Sequence, residues 1–392
     1  MFTIFNLKNP VNLFFGEGSL SVLREESKGL GNKALIVTGK NSARRYGMLD
    51  DTINELKKAG IESIPFEEVT PNPLSTTVEK GVNVVINENC DIIVGLGGGS
   101  AMDTAKAIAL TAVNEGSIVD YQPGGKYADS SPEKALPIIA ITTTAGTGSE
   151  INQFAVITNA ETNEKPGIGF EVIYPDIGIV DPELMLTLPK EITTDTGVDV
   201  LFHALEAYLG KGANYYSDLI ASEAIKLTVE NLSTVIDNGN NLEARKKMAW
   251  ANTLAGKAID IAGTLAIHGA GHPLGGHFNL THAQTLAVLG VNYLKQNYKY
   301  NIEKYASLTK LLGFGEEGLN SKELAAKAPA SLEKFLESVN RNLKISDLVE
   351  SLTDEKIEEL TEDTFKTMLG TIENNPKKLT KEDIIKLYKS SL

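Results

Sequence analysis

The stretch DIIVGLGGGSAMDTAKAIAL (91–110) reads as a buried strand, a run of glycines and a helix in direct succession. DIIVGL carries the apolar, β-branched run of a strand covered on both faces, and AMDTAKAIAL has helical composition. Between them Gly97, Gly98 and Gly99 put no side chain in the way of a ligand's phosphates. A helix starting near Ser100 aims backbone N–H groups and its positive dipole end at an anion. The context predicts a phosphate-binding turn; a tight turn without a ligand is the plainer reading of the same letters. Asp103, in the first helical turn, either caps donors there or binds a sugar hydroxyl.

Outward from this unit the same grammar repeats. Candidate strands are VNLFF (11–15), ALIVT (34–38), SIPFE (63–67), PIIAIT (137–142), FAVIT (154–158) and GIVD (178–181). Amphipathic segments such as MLDDTINELKKAG (48–60) and TTVEKGVNVVINEN (76–89) lie between several of them. Alternation of this kind predicts a parallel sheet with helices on its faces. A second loop, ITTTAGTGSE (141–150), follows a buried-type strand, and two such loops suit a nucleotide with more than one phosphate. The usual dinucleotide fingerprint after the first strand is absent: ALIVT is followed by Gly39-Lys40-Asn41-Ser42. From about residue 186 the β-rich runs stop, and segments such as GVDVLFHALEAYLG (197–210) carry apolar residues at helical spacing. The expected organisation is a Rossmann-like α/β nucleotide-binding domain over 1–185 and an all-helical metal-binding and substrate domain over 186–392.

Composition narrows the function classes. With 392 residues, 42% hydrophobic and 22% charged, the chain is an ordinary folded protein with room for sizeable cores. A net charge of −14, with the lysines scattered among glutamates, opposes nucleic-acid binding. The first twenty residues lack a secretory pattern, and no apolar run reaches the roughly 18–20 residues of a membrane span. Cys90 is the one cysteine, which excludes an internal disulfide and fits a cytoplasmic location.

Histidine is concentrated in one region. All five residues, His203, His268, His272, His277 and His282, fall within 203–282, four of them in HGAGHPLGGHFNLTH (268–282). Asp199 and His203 are four apart in a helical segment, which puts both on one face, and His268 and His272 repeat the relation. A carboxylate and several imidazoles suit a divalent first-row metal, Fe(II), Zn(II) or Co(II), that acts as a Lewis acid. The spacing alone leaves open which four groups bind it.

Taken together, VNLFFGEGSL, PNPLSTTVEKGV, GLGGGSAMDTAKAIA, ITTTAGTGSE, FAVITNAETNEKPGI, GIVDPELMLTLP, GVDVLFHALEAYLG and HGAGHPLGG resemble, in order, the motifs of the iron-containing (group III) alcohol dehydrogenases. HAQTLA (282–287) resembles that family's butanol dehydrogenase and broad aldehyde reductase branch. The resemblance implies a metal in the cleft between the two domains, held by Asp199, His203, His268 and His282, with His272 near the nicotinamide and substrate as a proton route. It assigns Gly97, Gly98, Gly99, Ser100 and Asp103 to the pyrophosphate segment, Thr142, Thr143 and Thr144 to a second cofactor loop, and Lys165 to the cofactor side. His277 and Phe202 depart from the family pattern, which puts the substrate pocket in question.

Members preferring NAD often carry an aspartate where this chain has Gly39. A carboxylate there accepts hydrogen bonds from the ribose hydroxyls and repels a 2′-phosphate, whereas Gly39 with Lys40, Asn41 and Ser42 supplies donors and positive charge. The expected activity is therefore interconversion of primary alcohols and aldehydes with NADP(H) in preference to NAD(H) and with Fe(II), zinc being a second candidate. The expected partners are a small alcohol or aldehyde and further copies of the chain, a dimer or larger, with no nucleic acid and no membrane. Two alternatives stand beside this: a glycerol dehydrogenase-like polyol enzyme using zinc and NAD, and a non-catalytic metal-binding scaffold.

Overall fold

A computed structural model of the chain describes residues 4–392 and divides into two compact units, one of Lys8–Leu188 and one built on Pro189–Leu392. Eight strands occur among the described residues: β1 (Asn12–Phe15), β2 (Lys33–Gly39), β3 (Glu62–Val69), β4 (Ile92–Gly97), β5 (Ile138–Thr142), β6 (Phe154–Val156), β7 (Gly167–Gly169) and β8 (Ile177–Val180). All but β6 and β7 form one sheet in the order β1-β8-β5-β4-β2-β3, with every pairing parallel.

The helices of this unit are α1 (Leu23–Glu26), α2 (Ser42–Arg45), α3 (Met48–Lys58), α4 (Ser75–Glu88) and α5 (Gly99–Thr111). Strand residues alternate between two cores. Ala34, Ile36, Ile92, Val94, Leu96, Ile139 and Ile141 pack with Leu49 and Leu56 of α3. Leu35, Val37, Ile93 and Ile138 pack with Val78 and Val85 of α4 and with Ala105 and Ile108 of α5. Both faces are thus covered, which is why these strands read as unbroken apolar runs. Each fully buried side chain of this kind contributes about 1.5–3 kcal/mol relative to exposure.

Strand order also places the candidate ligand loops. From β2 the chain crosses to β3 on one side, and β4 then pairs with β2 on the other. That reversal is a topological switch point, where open α/β sheets bind ligands beyond the carboxyl ends of the strands. Gly39, Gly97 and Thr142 are the last residues of β2, β4 and β5, and Gly97 lies directly beside Thr142 in the register.

The expected strand FAVIT is not part of the parallel sheet. Only Phe154–Val156 is extended, and it pairs antiparallel with β7. The backbone there is claimed by side chains of α5: Lys106 Nζ donates to the Phe154 carbonyl at 2.8 Å, and Asp103 accepts from the Val156 N–H at 3.0 Å.

The second unit is helical: α6 (Lys190–Leu209), α7 (Tyr215–Asp237), α8 (Leu242–Ala262), α9 (Ala266–Phe278), α10 (His282–Asn297), α11 (Ile302–Leu311), α12 (Ser321–Ser338), α13 (Asp354–Thr367), α14 (Leu369–Glu373) and α15 (Lys381–Ser390). α6 is buried on every side from Gly197 to Leu209, because α7, α8 and α10 all pack against it. Phe202 is part of that packing. It is fully buried and lies where a side chain at Gly290 of α10 would clash with it, so its place is in the α6–α10 contact. No helix among the described residues is long and apolar enough to cross a membrane.

Candidate metal centre and nucleotide loops

Four side chains of the helical unit converge. Asp199 and His203 project from α6, one turn apart, His268 from the first turn of α9, and His282 from the first position of α10. Each offers one ligand atom, and the four atoms lie within 4.8 Å of one another. Asp199 Oδ1 is 3.4 Å from His203 Nδ1, 3.5 Å from His282 Nε2 and 4.0 Å from His268 Nε2. The His203 and His268 rings stack at 4.6 Å.

These separations fit a metal ion. Bonds of roughly 2.0–2.2 Å to imidazole nitrogen and carboxylate oxygen put neighbouring donors about 3–4 Å apart. One carboxylate with three imidazoles and no thiolate is the donor chemistry of Fe(II) or Zn(II). Asp199, His203 and His268 are buried, whereas the His282 side chain is 23% exposed. His272, one turn beyond His268, stands outside the four-group cluster, with its ring 5.2 Å from that of His282.

The helices approach closely enough for this because of small residues and caps. A Cβ at Gly271 of α9 would sit 3.0 Å from Thr285 Oγ1 of α10, so glycine permits the approach. α9 stops at Asn279, whose φ of 51° is the left-handed conformation that ends helices. Thr281 then starts α10 with a capping box, its hydroxyl accepting from the Gln284 N–H. The same hydroxyl donates to Asp195 Oδ2 at 3.1 Å, tying the start of α10 to α6 one turn before Asp199. Asp195 is held in turn by Arg341 Nε at 2.6 Å. Sequence reading missed this clasp, since Thr281, Asp195 and Arg341 are far apart along the chain.

Glu206 was also missed. It lies on α6, seven residues after Asp199 and so two turns along the same face, and it is fully buried. Its Oε1 is 2.5 Å from His268 Nδ1, and its Oε2 accepts from the Leu265 N–H at 2.6 Å and the His268 N–H at 3.4 Å. Burial pushes its carboxyl up to about 8, against the opposing pull of those two backbone N–H groups. A lone glutamate inside an apolar helix, in register with a candidate ligand, was the available signal.

His277 is bonded at both ring nitrogens. Its Nε2 meets Asp363 at 2.6 Å and its Nδ1 meets Lys356 Nζ at 2.8 Å, both on α13. Both ring nitrogens are therefore engaged in joining α9 to α13.

In the α/β unit the glycine run forms a turn into α5, whose N-terminus has no side-chain cap. Gly97 adopts φ 151°, a conformation that L side chains rarely take. A Cβ at Gly99 would lie 2.5 Å from Thr147 Cγ2, and one at Gly98 would lie 3.0 Å from Thr144 Oγ1, so the two predicted loops pack on each other. The Thr143 N–H donates to the Gly97 carbonyl at 2.9 Å, and Thr142 Oγ1 to the Thr144 carbonyl at 2.8 Å. Ser100 is half-buried in the first turn of α5. Gly39 ends β2, while Lys40, Asn41 and Ser42 follow it exposed.

Two residues expected at the cofactor are also bonded to neighbouring segments of the protein. Asp103 does not cap its own helix; its carboxylate oxygens accept from Ser149 Oγ at 2.8 Å and from the Val156 N–H. Burial raises its carboxyl and the charge of Lys106 opposes the rise. Lys165 Nζ donates to Asn72 Oδ1 at 2.7 Å. Lys106, which sequence reading passed over, is fully buried and donates to Ser149 Oγ and to the carbonyls of Asn152 and Phe154.

Comparison with known proteins agrees over the whole chain. Residues 10–182 match the iron-containing alcohol dehydrogenases, and residues 193–392 match the C-terminal domain of the same family. The NAD-dependent methanol dehydrogenase of Bacillus methanolicus is 36% identical over 385 residues, 98% of each chain. The 1,3-propanediol dehydrogenase of Klebsiella pneumoniae is 36% identical over 392 residues, 100% of this chain and 99% of its own. Among solved structures, an archaeal halo-thermophilic alcohol dehydrogenase from a Red Sea brine pool superposes with a TM-score of 0.94 at 37% identity, covering 100% of both chains. The chain is a member of the iron-containing alcohol dehydrogenase family, an oxidoreductase of alcohols.

Proposed function

We propose that this enzyme interconverts small primary alcohols and their aldehydes by hydride exchange with NADP(H), using a divalent iron held by Asp199, His203, His268 and His282. The observation that carries the reading is the convergence of those four side chains within 4.8 Å in a member of this family. Zinc satisfies the same donor set. When bound, the ion supplies Lewis acidity toward the substrate oxygen.

The protein's own contribution follows from the geometry. Three of the four groups are buried, so their positions are set by helix packing and their charge acts in a low dielectric. His272, beside His282 but outside the cluster, is the group assigned to carry the proton that the alcohol oxygen loses or the carbonyl oxygen gains. In the α/β unit, the uncapped N-terminus of α5 at the switch point receives the pyrophosphate, with Gly97, Gly98, Gly99 and Ser100 along the turn and Thr142, Thr143 and Thr144 on the second loop. Asp103 and Lys165 support the loops from behind, each through its hydrogen bonds to neighbouring segments.

The NADP(H) preference rests on Gly39 and the exposed Lys40, Asn41 and Ser42, which present no carboxylate to a 2′-phosphate. The relatives named for methanol and 1,3-propanediol support a small primary alcohol. The test is NADPH absorbance in the presence of butyraldehyde and anaerobically iron-loaded protein, with and without a chelator. Chelator-sensitive oxidation, faster with NADPH than with NADH, is the expected result. Absence of turnover with either cofactor and with either iron or zinc would overturn the reading.

A further inference from the structure

We infer that Glu206 is a positioning residue for His268: it holds the imidazole with Nδ1 turned to its own carboxyl and Nε2 turned toward the other ligands, and it is the acceptor for Nδ1–H when a metal ion occupies Nε2. The inference rests on the metal reading above and extends it to a residue outside the ligand set.

Glu206 is fully buried, and among the described residues its ion partner is His268. Oε2 is claimed by two backbone donors that cannot be reversed, the N–H groups of Leu265 at 2.6 Å and His268 at 3.4 Å. Leu265 is the N-cap of α9, so this oxygen satisfies the start of the helix that carries His268. Oε1 is left for His268 Nδ1 at 2.5 Å. With Oε2 taken by N–H donors, Oε1 is the acceptor available to Nδ1–H once a metal ion takes the Nε2 lone pair, on the side where Asp199 Oδ1 lies 4.0 Å away. A histidine protonated on Nε2 has no lone pair to offer there.

The isosteric substitution Glu206→Gln separates this role from simple packing. Glutamine has one acceptor oxygen. The two fixed N–H donors draw that oxygen to the Oε2 position, and the amide NH2 then faces His268 Nδ1. Nδ1 must accept, so the imidazole proton is confined to Nε2, toward the metal ligands. Every hydrogen bond of the metal-free protein is still made, in a side chain of the same shape, and a buried carboxyl is replaced by a neutral amide.

The experiment compares the full-length protein with the Glu206→Gln variant, using Zn(II) as the probe in competition with a chromophoric chelator. The expected result is zinc affinity weaker by about 10–100-fold, with the thermal midpoint of the metal-free protein no lower than that of the unaltered chain. A variant with unaltered zinc affinity, or one in which the metal-free midpoint falls while zinc affinity holds, would show a packing role only and overturn the inference. A second measurement needs no variant. In the zinc-loaded protein labelled with ¹⁵N-histidine, the His268 Nδ1 resonance is expected at the protonated position, and a protonated Nε2 with Nδ1 on the metal would overturn the inference. Failure of the unaltered chain to bind zinc or iron at all would instead remove the metal reading, and this inference with it.

Discussion

The two units use their polar residues in opposite ways. In the helical unit, side chains that stand out in the sequence converge on one another, and their neighbours Glu206, Thr281, Asp195 and Arg341 serve to aim them. In the α/β unit, the marked side chains are bonded within the fold. Asp103 and Lys106 bind the 149–156 segment, and Lys165 binds Asn72. What remains for a ligand there is backbone: a glycine turn, an uncapped helix start and the carboxyl ends of parallel strands. A cation of fixed geometry needs specific donor atoms, whereas a phosphate is held well by N–H groups and a dipole, which many sequences supply.

Substitutions that break this contrast rank by size. His268→Ala should abolish both bound metal and turnover, read by elemental analysis beside the NADPH assay; full activity without this imidazole would dissolve the ligand set. Lys106→Met should cost about 3–5 kcal/mol in denaturant unfolding, since it strips the buried Asp103 of its cation and leaves the Asn152 and Phe154 carbonyls without this donor. A small loss would mean the lysine serves the cofactor rather than the fold. Gly39→Asp should shift the NADPH-to-NADH ratio of kcat/KM toward NADH by tenfold or more, about 1.4 kcal/mol per tenfold, with metal content unchanged. Thr281→Ala should cost about 1 kcal/mol of stability through loss of the α10 cap, with Thr281→Ser restoring it. If metal affinity does not fall alongside, the clasp to Asp195 does not steer His282.

Much of the architecture was legible because its signals are local. Six of the seven candidate strands are in the parallel sheet, and the change of grammar near residue 186 is followed by helices alone among the described residues. FAVIT was misleading because its apolar run is extended but bonded to α5 side chains that no local pattern predicts. Phe202 and His277, which stood out as departures from the family pattern, take part in the α6–α10 packing and in bonds to α13. Their partners, Gly290, Asp363 and Lys356, lie scores of residues away, beyond the range of any spacing rule.

The sequence by itself determined the fold class, the glycine turn after β4 and the pool of histidines and Asp199 from which ligands could come, because alternation of strands and helices, i,i+4 spacing and the concentration of histidine are short-range properties of the chain. Which four of that pool bind was implied by the family resemblance. Tertiary structure alone decided which polar groups converge into one cluster and which tie distant segments together. Burial, hydrogen-bond partners and the tautomer of an imidazole depend on atoms brought together from distant segments. Glu206 shows this most directly: a glutamate in a helix is unremarked in the sequence, and only the fold sets it beside His268.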